Sequence, residues 1–441
     1  MSFLPNILFC LLLAFGIGFF TLNVRKLIRN IRLGKSENTS DNRSQRWKNM
    51  LRLALGQGKM TVRPVAGLLH LVVYLGFIII NLEMLEIVLD GILGTHRLFA
   101  SFGKIYDILI VSFEVLALLV IISVSIFWIR RNVLKINRFK KEELQNWAKK
   151  DGNFILYIEA FLMVLFLTMN AADFCLQSLR VSPYVQAGSF PVSHWIVPLF
   201  SDFSTTTLIA IERTCWWLHI AGVLFFLNYL YYSKHLHIIL AFPNTYFASV
   251  RPQGALKINE NVLKEVKLML DPNTDPFATS SEMQNPPEKF GASDVFDLTW
   301  VQLLNAYTCT ECGRCSDECP ANATGRKLSP RHIMMKTRDR LEEVSKNIDA
   351  NGGSFKDDSK QLLHDYVTPE ELWACTSCNA CVEACPVSIN PLSIIMDMRQ
   401  YLVMEQSAAP KELNTMMTNI ENNGAPWAYS QADRMNWATE N

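Results

Sequence analysis

The sequence predicts an all-α protein in two parts, a five-helix transmembrane bundle followed by a helical domain that carries eight closely spaced cysteines. Three observations predict it. Almost all the long apolar runs of this 441-residue chain, which is 50% hydrophobic and only 19% charged, lie before residue 233. Two cysteine-rich runs lie after residue 308, and each is followed by a proline-led segment with apolar residues at helical spacing.

Five apolar stretches are long enough to cross a hydrocarbon core, which takes roughly 20 residues at 1.5 Å rise each. They are Phe3 to Leu22, Gly67 to Asp90, Ile105 to Ile129, Phe154 to Asp173 and Leu208 to Tyr232. The first could instead be a signal peptide, but MSFLPN has no Lys or Arg and no small-residue cleavage site follows before Arg25, so it is expected to stay as a span. Eleven Lys or Arg lie between the first and second spans and eight between the third and fourth, whereas the other two loops hold only Arg97, Lys104 and Arg180. The positive-inside rule then puts the N-terminus outside and everything after Tyr232 in the cytoplasm, as expected of a multi-pass protein of the inner (cell) membrane. The net charge of +1 hides this asymmetry. Topology explains the basic loops without a nucleic-acid partner.

CTECGRCSDECP at 309 to 320 and CTSCNACVEACP at 375 to 386 both read C-x2-C-x2-C-x3-C-P. With this spacing three thiolates hold one cubane cluster and the fourth cysteine reaches the other. One 4Fe-4S cluster is assigned to Cys309, Cys312, Cys315 and Cys385, and a second to Cys375, Cys378, Cys381 and Cys319. Zinc sites use four tetrahedral ligands, usually in two separated pairs, which leaves a third cysteine at the same short spacing without a role. Disulfides do not suit a cytoplasmic face. Cys10, Cys175 and Cys215 sit in or beside the spans and are read as small hydrophobes.

Fifty-five residues separate Cys319 from Cys375. They include LSPRHIMMKTRDRLEEVSKNI, and the second motif is followed by INPLSIIMDMRQYLVM. Proline to arginine is eight residues in both (Pro330 to Arg338, Pro391 to Arg399) and proline to leucine eleven (Pro330 to Leu341, Pro391 to Leu402). This duplication of a motif plus a helix predicts a mostly helical dicluster domain and leaves no room for the small β-hairpin ferredoxin. The chain divides into a membrane domain (1–240), a linker with an amphipathic stretch from Leu256 to Leu270 (241–297), the cysteine domain (298–406) and a tail (407–441). FPN at 242 to 244 and DPNTDPFATSSEMQNPPEKF are read as connection.

On these motifs the soluble part resembles the α-helical ferredoxin module of heterodisulfide reductase C-type subunits. The membrane part, with five helices and histidines on the second and fifth, resembles the cytochrome b subunit of respiratory nitrate reductase and its heterodisulfide reductase relatives. The combined order is similar to membrane iron-sulfur oxidoreductases that link electron-transfer flavoprotein or related donors to quinone. The resemblance therefore implies a five-helix transmembrane bundle followed by a cytoplasmic α-helical dicluster ferredoxin domain, and haem b held by histidines of the second and fifth helices. This chain supplies His70, and His219 with His235 or His237. His219 to His237 is eighteen residues, about 27 Å if the helix continues that far. His70 lies about one turn inside the cytoplasmic end of its span, so depth matches it to the HLH pair, His237 preferred, while interfacial placement of both rings is the bland alternative. For a second haem His219 lacks its partner, since the matching position on the second helix falls near Ile80. Met84, or His96 or His194 from folded-back loops, could supply the bond, or His219 could belong to a quinone pocket.

Ionisable residues inside a membrane default to functional hypotheses. Glu83 and Glu114 are candidates for a proton route, and Glu83, Glu86, Glu114, Glu159 and Glu212 have structural pairing as the duller reading. Trp427, Arg434 and Trp437 in the tail suit either a partner interface or local packing. No G-x-G-x-x-G, Walker loop or CCG-type repeat occurs, so the chain reads as a relay without its own flavin or nucleotide site. The expected function is electron transfer between a soluble oxidoreductase subunit (a CCG-domain protein or electron-transfer flavoprotein) and membrane quinone. The alternatives are a haem-free membrane-anchored ferredoxin and an ion-translocating module.

Overall fold

The computed structural model describes residues 3–134, 136–252, 254–272 and 289–439. Most of the expected linker DPNTDPFATSSEMQNPPEKF lies outside the described residues. Those that are described form helices and no strands. The first part comprises α1 (Leu4–Ile31), α2 (Arg43–Met50), α3 (Pro64–Leu93), α4 (Lys104–Asn132), α5 (Trp147–Ser178) and α6 (Thr205–Tyr229). All except α2 are long and apolar enough to cross a bilayer; α3, α4 and α5 run past both ends of their predicted spans, α1 runs on past Leu22 to Ile31, and α6 starts earlier but ends at Tyr229. Pro64 opens α3 where a missing N–H costs nothing, and Gly94 closes it with a left-handed φ of 74°. Close packing needs small residues: a Cβ on Gly91 would stand 2.5 Å from the Phe9 ring, and one on Gly222 2.8 Å from Leu162. Leu8, Leu11 and Phe15 of α1 stay exposed, as lipid-facing side chains do.

The longer helices have a consequence at one end of the bundle. There α1 runs on into the C-terminal domain, with Asp349 accepting from Lys26 (3.0 Å) and Arg29 (2.5 Å), and Asn30 donating to Tyr307 (2.9 Å). Both basic loops meet the same domain. Lys59 donates to the Glu383 carbonyl (2.8 Å) and Arg63 to Asp317 (2.8 Å), while Glu143 accepts from Arg331 (2.6 Å).

The fifth span does not continue as one helix to the HLH pair. After α6 come a tight turn (Leu230–Tyr232), an extended Ser233 and a second tight turn (Lys234–Leu236) before α7 (His237–Phe247) begins. The cause is buried Asp151 of α5, which accepts from the Tyr229 hydroxyl (2.7 Å), the Ser233 hydroxyl (2.7 Å) and the Lys234 N–H (3.2 Å). Ser233 in turn accepts from the His235 N–H (3.1 Å) and starts the new turn. The 27 Å separation expected for an unbroken helix is therefore replaced by a fold-back. Pro243 and Asn244, expected in a connection, lie inside α7, and Asn244 donates to the Val387 carbonyl (2.7 Å). The amphipathic stretch forms α8 (Glu260–Leu270).

The C-terminal domain follows as α9 (Trp300–Thr308), α10 (Arg314–Asp317), α11 (Pro320–Ala323), α12 (Pro330–Ala350), α13 (Pro369–Trp373), α14 (Ala380–Ala384) and α15 (Pro391–Met404). The duplicated helices α12 and α15 start alike, with Ser329 and Asn390 accepting the N–H of His332 and Ser393 and a proline at the first position. Their predicted apolar faces (Ile333, Leu341 and Val344; Ile394, Met398 and Leu402) meet in one core. Ala292 and Val295, ahead of residue 298, are buried in it too. The tail forms α16 (Lys411–Asn423), which buries none of its residues, and α17 (Asn436–Thr439); Trp427 and Trp437 are exposed.

Candidate metal centres

The two cysteine motifs have the same backbone. The third residue of each (Glu311, φ 57°; Ser377, φ 56°) and the fifth (Gly313, φ 78°; Asn379, φ 63°) are left-handed. Those two reversals wrap each C-x2-C-x2-C run around a point. The repeated arginines complete the copy. Arg338 donates to Glu311 (2.6 Å) and Arg399 to the Ser377 hydroxyl (3.3 Å), so each reaches the third residue of its own motif.

One cavity is lined by Cys309, Cys312, Cys315 and Cys385, and by Cys381 as well. The fourth cysteine of the second motif thus stands with the first three of the first. Conversely, Cys319 is an electrostatic neighbour of Cys375 and Cys381. Burial pushes the Cys309 thiol up to about 11 and those of Cys381 and Cys385 to about 12. Thiolates form in such surroundings only beside a cationic centre, which iron supplies. The Ser377 N–H points at Cys375 Sγ (3.4 Å) and the Ile389 N–H at Cys385 Sγ (3.3 Å), the kind of donor that stabilises cluster sulfurs. Among the described residues no three His, Cys, Asp or Glu side chains converge as ligands of a single ion would. A cubane presents a separate iron to each thiolate and does not ask for such convergence, so the donor set fits it.

Next to this cavity the fold-back after α6 brings His237 to His70 of α3, with ring centroids 6.4 Å apart and planes at 44°. Two imidazoles sharing an iron would stand about 6 Å apart, since each contributes a metal–nitrogen bond of roughly 2 Å plus about 1 Å to its ring centre. His237 sets its Nδ1 against the Lys234 carbonyl (3.1 Å), which leaves Nε2 for a metal, and His70 Nδ1 is buried without a partner. Burial depresses His235 to about 3 and His237 in the same direction, so both are neutral, the ligating form. His235 turns instead to Glu159 (3.5 Å) and the Phe226 ring. The residues at His70 and His237 fit a bis-histidine haem.

His219 has no such partner. Its Nδ1 meets the Leu162 carbonyl (3.1 Å) and its ring lies near Phe166. His96 lies 3.7 Å from Asp173 and against the Tyr184 ring, and His194 lies against the Phe174 ring. Among the described residues no histidine ring meets His219, so a second haem pair is not assembled. The glutamates separate as well. Glu114 accepts from the N–H groups of Val192 (2.8 Å) and Ser193 (3.1 Å) and is a loop anchor, whereas Glu83 keeps one oxygen unpartnered.

Several residues escaped the sequence reading. Lys234, not singled out in the sequence, bonds Glu311 of the first motif and ties the HLH turn to the cysteine cavity. Burial alone would raise the Glu311 carboxyl, but Lys234 and Arg338 outweigh it and hold the group at about 2. Arg314, between Cys312 and Cys315, lies within electrostatic reach of Cys385 and of His70 and donates to the Lys59 carbonyl (2.9 Å). Arg97, expected as a loop charge, is buried and donates to Asp173 (2.5 Å), Asn170 (2.9 Å) and Tyr106 (3.0 Å). The available signal was a lone arginine in an otherwise nearly uncharged loop, facing carboxylates at two span ends.

Fold and site together define an iron-sulfur electron-transfer protein with a helical membrane domain. Comparison with known proteins bears this out. Residues 308–389 match the 4Fe-4S dicluster domain. The chain is similar to the probable iron-sulfur-binding oxidoreductase FadF of Bacillus subtilis, with 27% identity over 462 residues that cover 98% of this chain and 61% of that protein. It is similar to the EtfAB:quinone oxidoreductase of Syntrophomonas wolfei (25% over 430 residues; 92% of this chain, 56% of the relative). A probable membrane-anchored ferredoxin of Chromohalobacter salexigens is 29% identical over 174 residues, covering 36% of this chain and 26% of the relative. Heterodisulfide reductase subunits of Methanosarcina match over shorter stretches, 27% and 34% of the chain for two of them. The chain thus spans about 60% of the length of the first two relatives. No solved structure gives a significant match.

Proposed function

We propose that this chain is the membrane electron-transfer subunit of a quinone-linked oxidoreductase, exchanging electrons with a soluble partner through two 4Fe-4S clusters and with membrane quinone through one haem b. The observation that carries the reading is the stacking of the sites. The first cysteine motif is joined by Glu311 and Lys234 to the turn that holds His237, and His237 faces His70. Cys309, Cys312, Cys315 and Cys385 would hold one cluster; Cys375, Cys378, Cys381 and Cys319 the other; His70 and His237 the haem. When bound, these groups supply one-electron transfer. The chain's own part is to bury Cys309, Cys319, Cys381 and Cys385, orient His237 through the Lys234 carbonyl and lock the two domains together. Cys378 is exposed, which favours the second motif as the place of electron exchange with the soluble partner.

The relative named EtfAB:quinone oxidoreductase supports electron-transfer flavoprotein and quinone as partners. The basic loops share the bundle end with the cysteine domain, which by the positive-inside rule supports a cytoplasmic cluster domain and an outward N-terminus. The test is haem b per protein, by pyridine haemochrome on anaerobically purified wild type and His237→Ala, with iron measured alongside. One haem, lost in the variant while non-haem iron stays near eight per chain, is expected for two cubanes and one bis-histidine haem. A wild type with full iron and no haem refutes the haem and leaves a membrane-anchored ferredoxin.

A further inference from the structure

At the end of the bundle away from the cysteine domain, α3, α5, α6 and the loop after α3 enclose a cavity that the electron relay does not use. Five carboxyl side chains line it against two guanidiniums, with His96 beside them. Most of these carboxylates are tied down. Asp90 accepts from the N–H groups of Arg97 (2.8 Å) and Leu98 (3.1 Å), Glu86 from the Phe99 N–H (2.8 Å) and Tyr106 hydroxyl (2.8 Å), and Glu212 from Tyr184 (3.0 Å) and Arg213.

Three atoms are not. Glu83 Oε2, Asp173 Oδ1 and His96 Nδ1 are buried without a hydrogen-bond partner. Glu83 is 3% exposed and Asp173 1%, and the other oxygen of Glu83 stands 4.0 Å from Arg97, too far for a hydrogen bond. The charged groups facing Glu83 are Glu86 on its own helix, Arg97 from the loop, Glu114 on α4 and Asp173 on α5, one cation among three further carboxylates. A buried carboxylate with one free oxygen at membrane depth is expensive and marks function by default. The cavity, about 30 Å3, has room for one or two waters, and its polar walls offer the partners a water needs. It is too small for a quinone headgroup.

We propose that this cavity is a proton-exchange site, in which Glu83, linked by water to Asp173 and His96, takes up and releases a proton. The proton arrives from a hydronium ion and leaves to water; one O–H bond forms at Glu83 as one breaks on the donor, and no electron moves. Glu114, with both oxygens bonded, has no part in it. The site is separate from the clusters and the haem, so their loss leaves the test intact.

The test is pH-dependent infrared difference spectroscopy of the full chain in lipid nanodiscs, in H2O and D2O, reading the C=O stretch of protonated carboxylic acids. A titrating band that shifts in D2O, disappears in Glu83→Gln, moves in frequency in Glu83→Asp and changes its midpoint in His96→Gln is expected. No titrating carboxylic band in the wild type overturns the proposal without recourse to any variant. So does a band that persists unchanged in Glu83→Gln of wild-type iron content and helicity.

Discussion

Replacing Lys234 by Met should undock the cysteine domain from the histidine turn. Lys234 is about 10% and Glu311 about 4% exposed, so their ion pair is nearly dry. With Arg338 and Asp151 they form a balanced set of two cations and two carboxylates. Without Lys234, Asp151 keeps Tyr229 and Ser233, and Glu311 keeps Arg338, but one buried negative charge is left uncompensated. Removing one partner of a buried pair costs about 3–5 kcal/mol, and the surviving hydrogen bonds place this case near the lower end. At 1.4 kcal/mol per factor of ten, about 3 kcal/mol opens the docked state roughly a hundredfold more often. Hydrogen exchange of the amides in α7, α9 and the first motif reads that opening. They should exchange about a hundredfold faster in Lys234→Met while amides in the centres of α4 and α5 are unchanged. In Lys234→Met/Glu311→Gln the added loss should be smaller than the sum of the single effects, because neutralising Glu311 removes the orphaned charge. A change of less than about threefold in the single variant, or strict additivity in the double, would refute the reasoning.

The crossed placement of the fourth cysteines predicts that Cys385→Ser damages the cluster held by the first motif and Cys319→Ser the one held by the second. Low-temperature electron paramagnetic resonance of the reduced variants distinguishes the two, and loss of the same signal in both would refute the crossing. Docking should also be acid-sensitive through Glu143. Its half-burial would by itself raise the carboxyl, but Arg331 and Ser329 outweigh this and hold it below the ordinary range. A carboxyl lowered on folding stabilises fully above its unfolded value of about 4.3 and loses that contribution as the pH falls through the lower folded value. Proteolysis of the loop between α4 and α5 should therefore rise only below about pH 4.3, and Glu143→Gln should flatten that part of the profile.

The sequence by itself determined the five spans, the dicluster motifs and the duplication. Each is a property of short chain segments: apolar runs longer than a bilayer is thick, ligands spaced so that one loop can grip a cluster, and the same proline, arginine and leucine offsets after both motifs. The repeat even foreshadowed a contact, since Arg338 and Arg399 occupy equal positions and both reach the third residue of their motif. What the tertiary structure alone decided depends on groups far apart in the chain. Asp151, 82 residues before Ser233, breaks the helix after α6, and only that break turns His237 toward His70 and His235 toward Glu159. Likewise Glu83 and Glu114 are alike as intramembrane carboxylates in the sequence. The loop that brings the Val192 and Ser193 amides to Glu114 offers no donor to the free oxygen of Glu83. Periodicity and spacing are written in neighbouring residues, whereas the partners of a buried polar atom are set by how whole helices come to rest against one another.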